Sequence, residues 1–303
     1  MIISGFGGKN GSLSSRSTGI REKTDGFLSI VRSIAGGDLL FCFDPSTIGG
    51  IALGDEVTEW RDALGAYDTY FAKIGTAGPS FGTYNGEPVL NFNGSNTGLR
   101  TQEVDTQLLG KKDLSLLLFT KTNAGSGFQA VLEFSNLWYR HGAFTVGEQR
   151  DSSDFSGYFA QSNNISQLNV SCPAGANGTN VDVDLPLVRG VVYNRNGAGG
   201  GGAYSGGDAT TTKPYINGIA IPTDIIYDGG GTTYNIDAPF AQINPATGDF
   251  MYFYLANRAN TIHYNGSIGT IVAITRALTD SEMDKLSKAI LRKHNLDASA
   301  PIK

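Results

Sequence analysis

Short apolar runs separated by turn signals are the feature that most restricts what this 303-residue chain can fold into. Glycine accounts for 41 residues, about twice its usual share, which suits tight turns between strands. Asn-Gly pairs favour the two-residue turns of β-hairpins, and four of those in the chain, at 85–86, 93–94, 217–218 and 265–266, separate predicted strands. Many short strands with almost no helix between them predict an all-β fold, an antiparallel two-sheet sandwich, and one such domain can reach this length.

The predicted strands are apolar or alternating segments in the middle of the chain. Residues 114–120 are apolar on both faces, which is typical of a central strand. The predicted strands cover residues 38–43, 88–92, 114–120, 129–134, 137–141, 143–146, 187–193, 213–216, 219–221, 250–255 and 268–275.

The first 36 residues differ from the rest and are predicted to form an N-terminal anchoring arm. Residues 5–19 are rich in glycine and serine and cannot form a core of their own. A short amphipathic helix follows, with Asp25 as its candidate N-cap and Gly36 as its stop signal. Its apolar stripe either docks on the chain's own domain or contacts a neighbouring protein. The residues expected to anchor the arm are Phe6, Phe27, Ile30, Val31 and Ile34.

The other end of the chain carries the clearest local signal, a helix over residues 279–294. Thr279 and Glu282 form a capping box, in which each side chain can accept from the other residue's backbone N–H. Acidic residues at the start and basic residues at the end complement the helix dipole. We expect a structural helix, packed on the sandwich, within a domain that covers residues 37–303.

Charge and composition exclude several classes of function. The formal net charge is -5, with only 23 lysines and arginines, which argues against nucleic acid as a partner. No window approaches the roughly 18 apolar residues of a membrane-spanning helix. The first residues lack the basic and apolar regions of a signal peptide, so we expect a protein that is made in the cytoplasm and not exported. Cys42 is then expected to be a small buried residue, and a disulfide with Cys172 is disfavoured.

Several short motifs lie in order along roughly residues 38–297. Trp-Arg-Asp at 60–62 and Gly-Glu-Pro-Val-Leu-Asn-Phe-Asn-Gly at 86–94 are followed by strand and hairpin motifs at 189–194 and 213–218. The closing motifs occupy residues 255–258, 264–271 and 276–282. Together they resemble the laminin-G-like and concanavalin-A-like jelly rolls. The resemblance implies a jelly roll closed by a terminal helix, in a family that includes lectins, glycoside hydrolases, adhesion modules and phage structural proteins.

The residues that would carry hydrolysis are not found. Hydrolases of this family alternate carboxylates along one strand face, typically as Glu-x-Asp-x-x-Glu, and the chain lacks this motif. The nearest match puts Asp182 and Asp184 on one strand face, where charges that discourage edge pairing are the alternative explanation. No Gly-x-Ser-x-Gly motif occurs, and His141, His263 and His294 lie in unlike settings. The sequence therefore predicts a protein without enzymatic activity.

Metal binding receives little support from the sequence. Two cysteines and three histidines show no zinc-site spacing. Some members of the family bind calcium through loop oxygens, and Asp224, Asp228 and Asp237 flank glycine-rich turns that could supply them. Aspartates that form turns are commoner than ligands, so no metal or other cofactor is assigned.

The densest cluster of groups suited to sugar binding is Trp138-Tyr139-Arg140-His141. On a strand, Trp138 and Arg140 share one face while Tyr139 and His141 share the other, so one pair points outward. The alternative is that Trp138 belongs to the core and Arg140 is a solvated flank. These four residues are the candidate carbohydrate-binding residues.

From these patterns we expect a non-enzymatic structural protein of a tailed-phage virion, such as a head fibre, decoration or tail-associated protein. Residues 1–36 would bind other virion proteins, and the jelly roll would present a lectin-like face to host glycans. A small symmetric homo-oligomer suits such a role. The alternatives are a lectin module of a cell-surface protein and a glycoside hydrolase.

Overall fold

The computed structural model describes two helices and most of the predicted strands. The backbone is described for residues 13–103, 107–108, 111, 113–123, 127–135, 143–150, 156–164, 166–171, 185–194, 212–220, 224–228, 252–258 and 262–298. Side chains are described for residues 23–103, 107–108, 111, 113–123, 127–135, 144–147, 185–193, 213–220, 252–258 and 262–298.

The described elements are mostly strands. The two α-helices are α1 (Leu13–Ala35) and α2 (Asp280–Lys293), and single 3-10 turns cover Gly36–Asp38 and Pro45–Thr47. The strands are β1 (Leu39–Phe43), β2 (Glu59–Trp60), β3 (Phe71–Lys73), β4 (Ser80–Tyr84), β5 (Glu87–Asn93), β6 (Leu99–Thr101), β7 (Asp113–Thr122), β8 (Gly127–Ser135), β9 (Ala143–Arg150), β10 (Ser156–Asn164), β11 (Ser166–Ser171), β12 (Leu187–Asn194), β13 (Thr212–Ile216), β14 (Ile219–Ala220), β15 (Asp224–Asp228), β16 (Tyr252–Leu255), β17 (Asn257–Arg258), β18 (Ile262–His263) and β19 (Asn265–Ile274).

Apart from the two-stranded β17–β18 hairpin, the described strands form two sheets that pack face to face. Sheet A has eight strands, in the order β14-β13-β12-β7-β19-β5-β4, with β1 also paired to β19. Sheet B has nine strands, in the order β15-β11-β10-β9-β8-β16-β6-β3-β2. The pairs within both sheets are antiparallel. The predicted antiparallel two-sheet sandwich is therefore confirmed.

The inner core lies between the sheets and follows from alternation along each strand. In β7, the central strand that the sequence predicted, Leu116 and Leu118 face the inner core. Leu117 and Phe119 point to the opposite side of sheet A. The largest aromatic side chains of the inner core are Phe41, Phe43, Trp60, Phe71, Phe134, Phe144 and Phe253.

Both described helices cover the outer face of sheet A and create a second core there. Leu286 and Ile290 of α2 are fully buried in it. Phe27, Val31 and Ile34 of α1 join them. The sheet residues beneath the helices are Cys42, Val89, Leu117, Phe119, Val188, Val192, Val272 and Ile274.

Polar contacts also attach the helices to sheet A. Lys293 of α2 and Asp44, which follows β1, form an ion pair at 3.1 Å, and their side chains are only 1% and 0% exposed. Lys23 of α1 donates to Glu87 of β5 at 3.0 Å. Because a buried ion pair is costly to break, these contacts fix the positions of the helices on the sheet. Neither described helix is long and apolar enough to cross a membrane.

Helix α1 is longer than the sequence indicated. It begins at Leu13, whereas the sequence suggested a start at Asp25. Asp25 does not cap the helix because the residues before it, such as Arg21 and Lys23, are themselves good helix formers. Gly36, with a φ of +56°, supplies the predicted stop.

The side chains expected to anchor the arm are largely used inside the chain. Phe27, Val31 and Ile34 are buried in the second core, and Ile30 packs against it. Of the two alternatives for this stripe, the structure shows docking on the chain's own domain, because the apolar surface of these side chains covers sheet A. Phe6 lies outside the described residues.

The capping box of α2 is confirmed. Thr279 is the N-cap, its side chain accepts from the N–H of Glu282, and the Glu282 carboxylate accepts from the N–H of Thr279 at 2.9 Å. Arg276 also donates to Glu282 at 2.6 Å. This guanidinium and the capping contacts lower the pKa of Glu282 to about 2.

The Asn-Gly signals divide into two kinds. Asn85 and Asn217 have φ angles of +49° and +51° and form the hairpin turns that the sequence predicted. Asn265, in contrast, begins β19, so the turn predicted there is wrong. Gly266 is needed for close approach, because a Cβ atom there would lie 2.5 Å from the carbonyl oxygen of Lys121 on β7.

Candidate functional site: the outer face of sheet B

The four candidate carbohydrate-binding residues of the sequence cannot be placed. Trp138, Tyr139, Arg140 and His141 lie outside the described residues, as does the strand predicted at 137–141. Along the chain they fall between the end of β8 and the start of β9. These two strands lie side by side in the middle of sheet B, whose outer face is described in detail.

The outer face of sheet B, which points away from the inner core, is polar and aromatic. Along β8, Leu132 and Phe134 belong to the inner core, so Glu133 and Ser135 point outward. A row of cross-strand neighbours runs through Glu133 from β3 to β9. It consists of Ala72, Arg100, Tyr254, Glu133 and Thr145.

A fully paired polar network lies at the centre of this face. Arg258 Nε donates to Glu133 Oε2 at 2.5 Å, and Arg258 Nη2 donates to Thr145 Oγ1 at 2.7 Å. Thr145 Oγ1 donates to Glu133 Oε2 at 3.0 Å, and Ser135 Oγ donates to Glu133 Oε1 at 2.5 Å. The Glu133 and Arg258 side chains are 1% and 10% exposed. Because both carboxylate oxygens are engaged, the network holds these side chains rigidly in place.

A kink after β16 brings Arg258 to the network. Ala256 has a φ of +57°, a left-handed conformation that costs a residue with a Cβ atom about 1 kcal/mol. Its N–H donates to the carbonyl of Val131 on β8 at 2.7 Å. The chain then continues into the short β17–β18 hairpin, and the Arg258 guanidinium lies 4.8 Å from the ring centroid of Phe128. The kinked backbone is thus fixed by β8 while it delivers a guanidinium to Glu133.

Two tyrosines of β16 supply the aromatic part of the face. Tyr252 and Tyr254 are partly exposed, whereas Phe253 and Leu255 are buried in the inner core. The two tyrosine ring centroids are 6.4 Å apart. The guanidinium carbon of Arg100 lies 4.4 Å from the Tyr252 centroid and 6.0 Å from the Tyr254 centroid. The two rings meet edge to face, with 75° between their planes, and the guanidinium lies beside both of them.

A second arginine–tyrosine stack lies at the β2–β3 end of sheet B. The guanidinium carbon of Arg61 is 4.4 Å from the ring centroid of Tyr70. Arg61 also forms an ion pair with Glu59 of β2. At this end of the sheet the positive charge is therefore neutralised by a neighbour.

Glu56 and His294, two titratable groups elsewhere in the molecule, have structural partners. Glu56 accepts from the Gly78 N–H at 2.6 Å and from Lys73 at 3.0 Å, and these contacts lower its pKa. His294 ends α2, is fully buried and stacks on Phe119 with ring centroids 3.8 Å apart. Burial, with a smaller effect of the Lys293 charge, holds the pKa of His294 well below its usual value.

The acids and metal ligands considered from the sequence are only partly testable. Within the described part of the chain, no group of three His, Cys, Asp or Glu residues is placed to hold a metal ion. Cys42 is a buried free thiol whose pKa is raised, chiefly by burial. The remaining candidates lie where side chains are not described: Asp182, Asp184, Asp224, Asp228, Asp237 and Cys172.

The residues that form this face were missed by the sequence reasoning. A signal existed for Tyr252 and Tyr254, since Tyr-Phe-Tyr-Leu alternates between rings that face out and side chains that face in. Arg100 lies in a strand of three residues, which is too short for periodicity to detect. Glu133 and Arg258 are 125 positions apart, so only the fold brings them together.

Comparisons with known proteins identify the fold and not a family. No family model matches the chain, and no curated protein matches its sequence. The laminin-G-like resemblance therefore stays a prediction at the level of family, while the sandwich it implied is present.

Solved structures share this fold at low sequence identity. One is domain 4 of AbnA, a GH43 extracellular arabinanase from Geobacillus stearothermophilus, in complex with arabinotriose. It is 12% identical with a TM-score of 0.54, over 82% of this chain and 98% of that domain. Another is a receptor binding domain, 12% identical with a TM-score of 0.51, over 86% of this chain. The present chain spans 53% of that second structure, about half its length.

Proposed function

We propose that this protein is a glycan-binding domain and that it binds sugars on the outer face of sheet B. The observation that carries the proposal is the pair of partly exposed tyrosines, Tyr252 and Tyr254, beside Arg100. Aromatic rings stack on the apolar faces of sugars, and planar polar groups hydrogen-bond to hydroxyls. A tyrosine offers this surface at a low entropic cost because it has only two side-chain torsions.

The rigid support of the face favours a binding role. Tyr254 pairs across the sheet with Glu133, whose carboxylate is held by three described neighbours. On the opposite side of β16, Phe253 and Leu255 fix the backbone to the inner core. Binding sites gain affinity when their groups are already held in position before the ligand arrives.

The same network favours binding over hydrolysis. Glycoside hydrolysis needs two accessible carboxyl groups that flank the scissile bond. Glu133, the acid at the centre of the face, is fully buried and both of its oxygens are occupied. We therefore propose a domain without enzymatic activity.

The shared fold gives the proposal a precedent. The matched AbnA domain is described in complex with arabinotriose, so a sandwich of this shape does accommodate an oligosaccharide in that enzyme. At 12% identity, the likeness between that domain and the present chain concerns the fold. The placement of the binding face depends on the side chains of sheet B.

A glycan array with the full chain tests the proposal. We expect binding to a defined set of oligosaccharides, and loss of that binding in the variant Tyr252→Ala/Tyr254→Ala. Ile219→Ala is the matched control, because Ile219 is 52% exposed on the hairpin of sheet A, away from this face. Binding that survives the double tyrosine replacement, or no binding to any oligosaccharide, would contradict the proposal.

A second candidate role concerns where the domain is displayed. We propose that it is a structural component of a tailed-phage virion and that residues 1–22 attach it to other virion proteins. The observation that favours attachment at this end is that α1 is one continuous helix from Leu13 to Ala35. Its last turns are packed on sheet A, so a partner that held residues 13–22 would orient the whole sandwich. A cell-surface lectin module is the alternative.

Deletion of residues 1–22 tests the attachment. The variant keeps Phe27, Val31 and Ile34, so it should fold and bind the same glycans as the full chain. We expect it to be lost from purified virus particles, while Ile219→Ala is retained. Equal recovery of both variants in particles, or their equal absence together with the full chain, would reject the virion role.

A further inference from the structure

We propose that the glycan bound by the outer face of sheet B carries a carboxylate, and that Arg100 receives it. The inference depends on the proposed glycan binding and adds the chemical class of the ligand. It is carried by the charge and the hydrogen-bonding state of one guanidinium.

The described part of sheet B repeats one arrangement three times, an arginine against an aromatic ring. Arg61 lies over Tyr70, Arg258 over Phe128 and Arg100 over Tyr252, at 4.4, 4.8 and 4.4 Å from the ring centroids. Such stacks orient a guanidinium but do not satisfy its N–H groups.

Two of the three arginines also have an acid. Arg61 pairs with Glu59, and Arg258 pairs with Glu133 at 2.5 Å. Arg100 differs, because none of the described residues accepts a hydrogen bond from its guanidinium. Its Nε is buried without an acceptor, while the side chain as a whole is partly exposed. The rest of the guanidinium belongs to a partly exposed side chain, so a ligand that supplies an acceptor there gains affinity.

The location of Arg100 suits an acid on a stacked sugar. Its guanidinium carbon lies 4.4 Å from one tyrosine ring and 6.0 Å from the other, so a sugar on the rings brings its substituents within reach. A carboxylate is planar and offers two oxygens side by side, which matches the fork of an arginine. The whole chain is negative, at -5, so a general attraction of anions does not explain such binding.

The ligand class is tested on an array that carries oligouronates, sialylated, sulfated and neutral oligosaccharides. The strongest carboxylated binder is then titrated calorimetrically against the full chain, beside its methyl ester, which keeps the shape and removes the charge. We expect the ester to bind at least about 10-fold more weakly, because charge-assisted hydrogen bonds are lost. Salt should weaken binding of the acid more than binding of the ester.

The variants assign the effect to Arg100. Arg100→Gln should lower the affinity for the acid at least about 10-fold and lower the affinity for the ester much less, because the ester carbonyl accepts only a neutral hydrogen bond. Arg100→Lys keeps the charge without the fork and should lose affinity to a smaller extent. Arg61→Gln is the matched control, since that arginine also stacks on a tyrosine but has its own acid, and it should bind as the native chain does.

The outcomes separate this inference from the proposed function. Neutral or sulfated sugars that bind as well as carboxylated ones, through Tyr252 and Tyr254, would leave glycan binding intact and overturn the carboxylate preference. An acid and ester that respond equally to Arg100→Gln would also overturn it. No binding to any printed oligosaccharide would reject both.

Discussion

The two outer faces of this sandwich are built from similar strands but differ in composition and in what lies on them. The outer face of sheet A is lined with Val, Leu, Ile and Phe side chains and is covered by α1 and α2. The outer face of sheet B carries Glu133, Thr145, Arg100 and two tyrosines. An apolar face must be covered by other parts of the chain, whereas on a polar face a paired network satisfies the groups that become buried. The contrast shows that the outer face of sheet A contributes a second core, and it is the reason why we propose the outer face of sheet B as the binding surface.

The largest loss of stability is expected on the outer face of sheet A, which the two helices cover. Phe119→Ala removes a fully buried ring that packs in the second core and stacks on His294. We expect a loss of about 3–5 kcal/mol in the free energy of unfolding, measured by urea denaturation monitored by circular dichroism. A loss below about 1 kcal/mol would mean that the helices do not form a true core on sheet A.

The next largest loss of stability is expected for the buried Arg258–Glu133 ion pair of sheet B. Arg258→Ala leaves the Glu133 carboxylate buried with only Ser135 and Thr145 as described hydrogen-bond donors. We expect a loss of about 3 kcal/mol, because an unpaired buried charge is strongly destabilising. In the same denaturation assay, the double variant Arg258→Met/Glu133→Leu should lose less free energy of unfolding than the losses of the single variants Arg258→Met and Glu133→Leu added together. Additive losses would show that the two side chains do not act as a pair.

Acid should lower the free energy of unfolding through His294, which packs in the second core on sheet A. The folded pKa of His294 lies well below its usual value of 6.5, so the unfolded chain binds the proton first as the pH falls. This contribution to stability is complete above about pH 6.5 and is lost as the pH falls below it, so the native chain should be less stable at pH 5.5 than at pH 7.5. The check is urea denaturation at both pH values, comparing the native chain with His294→Phe, which keeps a ring on Phe119 but does not titrate. An unchanged pH response in His294→Phe, or loss of the response in the control His263→Gln, would rule out this origin.

The smallest loss of stability is expected for the tyrosines of β16, where we expect the largest loss of binding. Tyr254→Ala removes a ring from the open face, which leaves the inner core untouched. We expect the free energy of unfolding to change by less than about 1 kcal/mol. A change as large as that of Phe119→Ala would make the tyrosines structural and would remove the contrast between the two faces.

The fold was largely predictable because many of its elements depend on patterns of neighbouring residues. The capping box of α2 and the hairpins at Asn85 and Asn217 each depend on a few neighbouring residues. The strand β10 was missed because its sequence is mostly polar and lacks a regular alternation, and β11 was missed because its alternation contains only two apolar residues, Leu168 and Val170. The start of α1 was also missed, because a single aspartate at position 25 was given more weight than the helix-forming residues before it.

The candidate site was much less predictable. Its groups come from β6, β8, β9, β16 and β17, and no sequence pattern indicates that Arg258 turns back onto Glu133. Arg100 becomes distinctive only when its lack of an acid is compared with Arg61 and Arg258. Both observations require distances between residues that are far apart in the chain.

A crystal structure of the full chain with the oligosaccharide that it binds most tightly on the array tests the central claim most directly. Our account predicts a sugar ring stacked on Tyr252 and Tyr254, with the Glu133–Arg258 pair beneath it unchanged. A sugar bound elsewhere on the molecule, with both tyrosine rings open to solvent, would contradict it.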